Sequence, residues 1–348
     1  MTSSTESAPT SAVLSRVDGP RVVLEATDLR RTFTGGSRLR PTHVSAVDGV
    51  SLRLHAGEVL GIVGESGCGK STLARMLVGL EKPDGGSLIY HGTDVTRSTR
   101  SDRRLLRTGV QMIFQDPYTS LDPRMTVGDI IAEPMAATRS APAAVRRARV
   151  AELLGLVGLA PEMMSRYPHQ FSGGQRQRIG IARALALDPD VLVCDEAVSA
   201  LDVSVQAQVI NLLAGLQKRL GVAIVFIAHD LSVVRHIADR VAVMYLGRVA
   251  EIGDTETVYT RPAHPYTQAL LSATPSHSLA DRGKLSRRRV LGGEPPSPVD
   301  PPAGCRFNPR CWLATDECRT DAPALRGFEL RDVSCHHAEQ ALAEARLA

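Results

Sequence analysis

The amino-acid sequence predicts an α/β fold with a small cysteine-containing extension at its C-terminal end. The segment "VLGIVGESGCGKSTLARMLVGL" indicates a strand, a glycine-rich loop and a helix, and "DVLVCDEA" indicates a buried strand that ends in two acids. A third segment, "GCRFNPRCWLATDECRTDAPALRGFELRDVSCHH", is mostly polar and holds four of the six cysteines, which predicts the extension. The 348 residues, of which 43% are hydrophobic, are enough for a sizeable core.

The first residues of the chain and its charge narrow the class of protein. Residues 1–20 are polar, rich in Ser and Thr, and without the apolar stretch of a secretory signal, so they predict a disordered lead-in. No window approaches the roughly 18–20 apolar residues of a membrane-spanning helix. The formal net charge is only +4, which does not favour nucleic acid as a partner. We therefore expect a cytoplasmic protein that would reach a membrane through a partner or its surface.

The glycine-rich loop fits the pattern G-x-x-x-x-G-K-[ST] at every defined position from Gly64 to Ser71. Glycines let the backbone turn tightly so that its N–H groups point at phosphate oxygens, and the following helix N-terminus adds to the attraction. Lys70 is expected to neutralise the β- and γ-phosphates, and Ser71 to ligate Mg²⁺. Cys68 occupies a variable position of the loop and is interpreted as incidental. The loop predicts a nucleoside triphosphate site.

The two acids that end "DVLVCDEA" predict the metal-holding and proton-accepting groups of that site. Asp195 is expected to hold Mg²⁺ through its water shell, and Glu196 to polarise the attacking water as general base. Cys194, inside the apolar strand, is interpreted as a small buried hydrophobe.

A second helix N-terminus follows "FSGGQ", where Ser172–Gln175 precede a helical pattern and offer another anion-binding end. With this segment the chain resembles an ABC-family ATPase, in which "FSGGQ" is the signature. Gln115 in "QMIFQDP" resembles the Q-loop glutamine, "SALD" at Ser199–Asp202 the D-loop, and His229 in "FIAHD" the switch histidine. These motifs stand in the family's order across roughly residues 20–260.

The resemblance implies an architecture and a mode of action. The expected fold is a P-loop, RecA-like α/β core with an antiparallel β portion near its N-terminus. The nucleotide-binding domain would span 21–260, with a helical subdomain at about 116–175, and residues 261–348 would form the C-terminal extension. In the family the signature closes over the nucleotide held by the opposite subunit, so closure of a dimer is the expected power stroke.

The resemblance also implies the site residues. Lys70, Glu196 and His229 would be catalytic, and Phe33, in "LRRTFTGG", is the candidate for stacking on adenine, with packing inside a strand as the alternative. Ala197 stands where the family commonly has Pro. The ATP-binding set would be Phe33, Gly64, Glu65, Ser66, Gly67, Cys68, Gly69, Lys70, Ser71, Thr72 and Gln115. The Mg²⁺ ligands would be Ser71, Gln115 and Asp195, the signature residues Ser172, Gly173, Gly174 and Gln175, and the D-loop residues Ser199 and Asp202.

Three further segments, "FQDPYTSLDPRMTVGDIIAEP", "HPYTQALLSATP" and "GEPPSPVDPPAGCRFNPRC", resemble the ATPase subunits of dipeptide and oligopeptide importers. This likeness implies an ATPase at the cytoplasmic face of the membrane, bound to two permease subunits and to a second ATPase that is a copy or a paralogue. An extracytoplasmic solute-binding protein would complete the system.

Among other ABC ATPases, one class stays open as an alternative and the others are disfavoured. A nickel or other small-solute importer stays open, because the cargo is chosen by the binding protein and the permease. A DNA-repair or translation ATPase is disfavoured, because each motif occurs once and no long coiled coil separates the motifs. A sugar-importer subunit would end in a small β-rich domain, whereas this chain ends in a Pro-rich, cysteine-bearing segment.

The cysteines at Cys305, Cys311, Cys318 and Cys335 have the spacing Cys-x5-Cys-x6-Cys-x16-Cys. A structural zinc site usually contains close C-x(2–4)-C pairs, whereas wider gaps suit a loop wrapped around a 4Fe-4S cluster, which four thiolates hold. The neighbouring His336 and His337 keep zinc as the alternative, and metal-free thiols are a third interpretation. A reducing compartment disfavours disulfides. We expect these cysteines to staple the extension against the core or a partner.

Overall fold

The structure is a computed structural model that describes residues 21–37, 40–96, 99–116, 120–139, 141–199, 201–273, 294 and 296–347. The predicted disordered lead-in, residues 1–20, lies outside the described residues, as does Ala200 of the predicted D-loop. Over the described ranges, no helix combines the length and the apolar character needed to cross a membrane.

The described strands and helices alternate along most of the chain. The strands are β1 (Val22–Ser37), β2 (Arg40–His55), β3 (Val59–Val63), β4 (Gly85–Tyr90), β5 (Thr93–Asp94), β6 (Val110–Ile113), β7 (Val191–Asp195), β8 (Ala223–Ile227), β9 (Arg240–Tyr245), β10 (Arg248–Asp254), β11 (Arg326–Phe328) and β12 (Arg331–Val333). The helices are α1 (Lys70–Leu77), α2 (Arg100–Gly109), α3 (Val127–Thr138), α4 (Ala143–Leu156), α5 (Gly173–Ala184), α6 (Val203–Leu220), α7 (Leu231–Ile237), α8 (Thr255–Thr260), α9 (Pro265–Ala273), α10 (Asp316–Thr320) and α11 (Ala338–Leu347).

The larger sheet contains the strands that carry the predicted catalytic groups. Within the described residues it has the order β11-β12-β10-β9-β3-β8-β7-β6, and the five strands from β9 to β6 are parallel. Successive residues of β3 face different cores: Val59 and Val63 pack with the helices α3–α6, and Leu60 and Ile62 pack with β1, β2 and α1. Both faces of the sheet are therefore covered, which explains why its strands are continuously apolar.

A smaller antiparallel sheet of order β2-β1-β4-β5 lies on one of these faces. The long strands β1 and β2 pair along most of their length, with bulges that bend the ribbon. Leu24 and Leu54 from this sheet share a core with Leu73 and Leu77 of α1. The predicted α/β fold, with an antiparallel β portion near the N-terminus, is confirmed.

The region between β6 and α5 is helical in its described part. It contains α3, α4 and two 3-10 turns at Pro161–Ser165 and Pro168–Gln170, and α3 packs on α4 and α5. The Thr126 hydroxyl begins α3 by accepting the N–H of Asp129. These helices lie inside the segment 116–175 that the sequence predicts as a helical subdomain, whose limits stay a prediction.

The C-terminal extension joins the larger sheet directly. Strand β12 pairs antiparallel with β10, and β11 pairs with β12, so residues after 325 continue the core sheet at its edge. Behind these strands, Ala263, Val333, Cys335, Ala338 and Leu342 form a small apolar cluster. The extension is thus held by backbone hydrogen bonds and by its own buried side chains.

Candidate nucleotide site

The glycine-rich loop joins β3 to α1 in a conformation that requires glycine at two positions. Gly69 has φ +105°, and a Cβ there would lie 1.9 Å from the backbone oxygen of Ala46. A Cβ on Gly64 would lie 2.2 Å from the backbone oxygen of Met244. Since neither position can accept a side chain, the loop is pressed against β2 and β9 along its backbone. Between these contacts, Ser66 and Gly67 form the exposed tip.

Lys70 begins α1 and is nearly buried at 4% exposure. Its ammonium donates to the backbone oxygens of Gly64 at 2.8 Å and Glu65 at 3.0 Å, so the loop wraps around the positive charge. No side chain caps the start of this helix, whose first turn also contains Ser71 and Thr72. A buried cation beside an uncapped helix N-terminus suits phosphate oxygens.

Ser71 and Asp195 meet although they are far apart in the sequence. The Ser71 hydroxyl donates to Asp195 Oδ1 at 2.9 Å, which links the start of α1 to the end of β7. Burial raises the pKa of Asp195, and the bond from Ser71 opposes that shift. A hydroxyl and a carboxylate at this distance are the oxygen ligands that Mg²⁺ prefers. The structure therefore brings Ser71 and Asp195 together, and their role as Mg²⁺ ligands stays a prediction.

Glu196 directly follows Asp195 and has an unusual backbone conformation. Its φ of +47° lies in the left-handed region, which is costly for a residue with a side chain. Its N–H donates to Ile227 on the neighbouring strand β8, and Ser199 Oγ donates to its backbone oxygen at 3.0 Å. Gln115 Nε2 donates to Glu196 Oε2 at 2.8 Å. The predicted Q-loop, general base and D-loop thus form one hydrogen-bonded group.

His229 is exposed just beyond the end of β8. In the parallel register Asp195 lies opposite Ile227, two residues before this histidine. The carboxyl ends of β3, β7 and β8 therefore gather the loop, the acids and His229 at one edge of the sheet, where ligands of open α/β sheets bind. Ala197, at the position where the family commonly has Pro, is buried.

The signature segment caps helix α5. Ser172 Oγ accepts the N–H of Gln175 at 3.4 Å, and Gln175 Oε1 accepts the N–H of Ser172 at 3.1 Å. Gly174 is needed for packing, because a Cβ there would lie 2.4 Å from the Val205 side chain of α6. Asp202 caps α6 by accepting the N–H of Val205 at 2.9 Å. Gly173, Gly174 and the D-loop are thereby held on adjacent helices.

Phe33 lies in β1 opposite Val44 and is 39% exposed. The guanidinium of Arg31 lies 4.8 Å from the centre of its ring. The ring is available at the surface, and its role in stacking on adenine stays a prediction.

Two residues at the site escape sequence reasoning. Tyr266 Oη accepts the backbone N–H of Glu65 at 2.9 Å, and Arg310 binds the Glu65 carboxylate with two hydrogen bonds at 2.9 Å and 3.0 Å. Both residues belong to the C-terminal extension and are 201 and 245 residues from Glu65 in sequence. A charge pair so distant leaves no local signal, although Tyr266 lies in the quoted segment "HPYTQALLSATP".

The four cysteines of the extension lie close enough to influence one another. Burial raises the pKa of Cys305, of Cys311 to about 11 and of Cys335 to about 12, and neighbouring thiols of the group add to each increase. The backbone N–H of Cys305 donates to the oxygen of Cys318 at 2.9 Å. Among the residues that the structure describes, no group of three or more His, Cys, Asp or Glu side chains is arranged to hold a metal ion.

The neighbouring imidazoles contact groups other than thiols. His336 contacts the backbone oxygen of Asp321 at 3.1 Å, and His337 contacts Thr315 Oγ1 at 3.0 Å. Outside the extension, Cys194 is fully buried, and burial raises its pKa to about 12, as expected of a core thiol. Burial also raises the pKa of Cys68.

Comparison with known proteins gives consistent matches over most of the chain. Residues 47–199 match the model of the ABC transporter family, and residues 250–318 match that of the oligopeptide/dipeptide transporter C-terminal region. The chain is 52% identical over 323 residues to a di/tripeptide transport ATP-binding protein of Pseudomonas aeruginosa, covering 92% of this chain and 99% of that protein. It is 50% identical over 324 residues to an oligopeptide transport ATP-binding protein of Escherichia coli, covering 91% and 97%.

Solved structures match the core at lower identity. A dimeric, post-hydrolysis state of the ATP-binding cassette MJ0796 with ADP and Pi bound has a TM-score of 0.60 at 28% identity, covering 67% of this chain and 98% of that one. The cbiO1 subunit of an ABC transporter complex from Clostridium perfringens has a TM-score of 0.62 at 28% identity, covering 76% and 99%.

Proposed function

The chain belongs to the ABC transporter family of ATP-binding proteins, and on that premise we propose that it is the ATP-hydrolysing subunit of a di- and oligopeptide importer. It is an ABC-type ATPase that uses ATP and Mg²⁺ and acts as a dimer with membrane permease subunits. The likeness to peptide-transport subunits extends through the C-terminal region as well as the cassette. This likeness is the observation that supports peptides as the proposed cargo. A nickel or other small-solute importer remains the alternative, because this subunit does not select the cargo.

The arrangement at the carboxyl ends of the parallel strands supports a separate role for each group of site residues. Lys70 and the loop N–H groups hold the phosphates, while Ser71, Gln115 and Asp195 hold Mg²⁺, which would stabilise charge on the phosphates. Glu196 accepts the proton of the attacking water. The hydrogen bond from Gln115 to the Glu196 carboxylate supports these roles, because it holds the proposed metal ligand beside the proposed base.

The remaining contacts complete the proposed site across a dimer. His229 contacts the γ-phosphate from the end of β8, and Phe33 stacks on adenine. Ser172, Gly173, Gly174 and Gln175 of one subunit cover the nucleotide of the other, exchanging the reciprocal cap of α5 for phosphate contacts. Since Gly174 packs on α6, which Asp202 caps, this closure moves the D-loop together with the signature.

Replacement of Glu196 by glutamine tests the assignment of the general base. Glutamine keeps the shape and can pair with Gln115, so we expect ATP to bind and hydrolysis to fall by about 10²–10⁴-fold. The measurement is phosphate release together with nucleotide binding by the purified full-length chain. Glu152→Gln, at an exposed carboxylate of α4, is the control. Turnover at the wild-type rate in Glu196→Gln would overturn the assignment.

The cargo is tested by uptake in cells. After deletion of the gene, uptake of labelled di- and oligopeptides should be lost, and it should return with the wild-type gene but not with the Glu196→Gln gene. Unchanged peptide uptake with lost nickel uptake would instead support the small-solute alternative. We place the subunit at the cytoplasmic face of the membrane, in a system completed by an extracytoplasmic solute-binding protein, because importers of this kind receive their cargo from such proteins.

The four cysteines of the extension are proposed to hold a 4Fe-4S cluster. In support, neighbouring thiols of the group raise the pKa of Cys305, Cys311 and Cys335, and four thiolates are the complement of such a cluster. Zinc is the alternative, although a four-sulfur zinc site needs all four Zn–S distances near about 2.3 Å and hence a tighter group. The cluster would serve as a staple of the extension.

The metal content decides between these proposals. After anaerobic purification we expect iron and sulfide in a ratio of about one to one, and their loss in Cys335→Ser but not in Cys194→Ala. Zinc in place of iron would support the alternative, and a colourless, metal-free, fully active protein would end both.

A further inference from the structure

We propose that Tyr266 and Arg310 of the C-terminal extension are positioning residues for the phosphate-binding loop, which they hold through Glu65. The extension therefore acts on ATP affinity, beyond any role as a staple. The inference rests on the proposed nucleotide site at Gly64–Ser71.

Glu65, the second residue of the loop, is held at two points. Its backbone N–H donates to Tyr266 Oη at 2.9 Å, so this amide is already satisfied by the extension. Its two carboxylate oxygens each accept one bond from the guanidinium of Arg310, at 2.9 Å and 3.0 Å. A two-pronged arginine–carboxylate pair fixes orientation as well as distance. The start of the loop is thus fixed through the backbone and the side chain of Glu65.

The clamping residues are themselves rigid. Tyr266 is fully buried at 0% exposure, with its ring centre 4.6 Å from that of Tyr245 and 5.4 Å from that of Phe307. Its backbone N–H donates to His264 Nδ1 at 3.0 Å. These rings come from β9 and from two separate parts of the extension, α9 and the residue before the turn Asn308–Arg310, so three segments meet behind the loop.

The Arg310 side chain is 6% exposed and remains charged. Burial by itself lowers the pKa of this guanidinium, but the hydrogen bonds to Glu65 and to the Tyr245 hydroxyl raise it overall. Arg310 ends the tight turn Asn308–Arg310, immediately before Cys311. The ion pair is therefore charged, nearly buried on its arginine side and attached to the cysteine-bearing turn.

A second contact from the same part of the extension reaches the loop through the turn between β9 and β10. Arg306 donates to the backbone oxygen of Leu246 and to the carboxylate of Asp48. The next residue, Gly247, donates its N–H to the backbone oxygen of Cys68 at 2.8 Å. The extension accordingly supports the loop at its start directly and in its middle through one intermediate turn.

This arrangement predicts an effect on nucleotide affinity and not on the chemical step. A loop held in its binding conformation binds phosphate without first being ordered, and apparent affinity falls in proportion when that conformation is less populated. Within the part of the chain that the structure describes, neither Tyr266 nor Arg310 contacts Asp195 or Glu196. Loss of the clamp should therefore raise KM and leave kcat nearly unchanged.

The test uses the full-length chain and its variants Arg310→Gln, Arg310→Lys, Glu65→Gln and Tyr266→Phe. We expect the ATP dissociation constant and KM to rise by about tenfold in Arg310→Gln, since hydrogen bonds to charged groups are among the strongest. The kcat of Arg310→Gln should stay within about twofold of the wild-type value. Arg310→Lys keeps the charge but loses the second prong, so its KM should lie between those of wild type and Arg310→Gln.

A double-mutant cycle identifies the pair as the cause. If Arg310 acts through Glu65, KM of Arg310→Gln/Glu65→Gln should not exceed that of the worse single variant. If the fold-increase in KM of the double variant equals the product of the two single increases, the two residues act independently, and this result would overturn the proposal. Arg326→Gln, which breaks the exposed ion pair with Glu339 in the same extension, is the matched control and should leave KM unchanged.

If Tyr266 and Arg310 only stabilised the fold, the expected result would be different. The substitutions would lower the melting temperature while the folded protein keeps the wild-type ATP dissociation constant, and that outcome would overturn the proposal. If Arg310→Gln fails to fold, Tyr266→Phe decides, because it removes only the hydroxyl that accepts the Glu65 N–H. Failure of the wild-type chain to bind ATP would instead refute the proposed nucleotide site.

Discussion

Replacement of Arg331 by methionine tests how the extension is attached to the larger sheet. Arg331 lies in β12 and Glu251 in β10, and both side chains are 0% exposed. Arg331 Nη1 donates to Glu251 Oε1 at 3.1 Å and to the backbone oxygen of Arg261. The same carboxylate accepts the N–H groups of Ala263 and His264, at 2.9 Å and 3.1 Å. One buried ion pair thus joins β10, β12 and the residues just before α9.

The expected magnitude follows from leaving a carboxylate buried without its cation. Methionine fills similar volume but carries no charge, and removal of one partner of a buried ion pair costs about 3–5 kcal/mol. Burial already raises the pKa of Glu251, so proton uptake can relieve part of this cost and favours the lower end of the range. If β12 opens locally, about 3 kcal/mol corresponds to roughly 100-fold less protection of its amides from exchange.

Hydrogen exchange followed by mass spectrometry measures this protection over residues 326–335. Arg326→Met is the control in the neighbouring strand, because the Arg326–Glu339 pair is 45% and 63% exposed, and it should change the opening free energy by less than about 1 kcal/mol. Replacing both partners, as Arg331→Met with Glu251→Gln, should lose less protection than Arg331→Met. Unchanged protection in Arg331→Met, or an equal loss in Arg326→Met, would refute the reasoning.

Two further predictions concern His264 and the loop glycines. Burial lowers the pKa of His264 from 6.5 to about 4, so the unfolded chain binds a proton that the folded chain excludes, and stability should fall as pH falls from about 6.5 to about 4. In His264→Asn, which keeps an acceptor for the Tyr266 N–H, the melting temperature should fall less over this range; parallel curves would contradict the assignment. Gly69→Ala should abolish ATP binding, because its Cβ would lie 1.9 Å from a backbone oxygen of β2. Gly215→Ala, with open space around the added Cβ, should bind ATP normally, and normal binding by Gly69→Ala would refute the steric argument.

The fold was predictable where its signals are short in sequence. The segment from β3 through the loop to α1 is contiguous, and its apolar run, glycines and helical spacing each act over a few residues. The strand that ends in Asp195 and Glu196 is likewise continuously apolar because both of its faces are buried. Such local patterns predicted the α/β class and the strands beside the candidate site, whereas the antiparallel portion was expected from the resemblance to ABC-family ATPases.

The sequence indicated which residues lie at the candidate site, but not the hydrogen bonds that join them. The phosphate-loop motif and the family resemblance placed Ser71, Gln115 and Glu196 at one site, and in the structure the carboxyl ends of neighbouring parallel strands bring them to one edge. The bonds from Ser71 to Asp195 and from Gln115 to Glu196 span 124 and 81 residues, and depend on strand register and side-chain orientation. The left-handed backbone at Glu196 also has no signal in the sequence.

The sequence by itself determined the residues on which the proposed chemistry depends: the glycine-rich loop, the two acids that follow an apolar run, and the cysteine-bearing extension. Each of these depends on residue type and close spacing, which are properties of a linear pattern. Only the tertiary structure decided that the extension continues the core sheet and that Arg310 pairs with Glu65 across 245 residues. A pairing at that separation follows from the packing of three segments around Tyr266, and packing is a property of the folded chain alone.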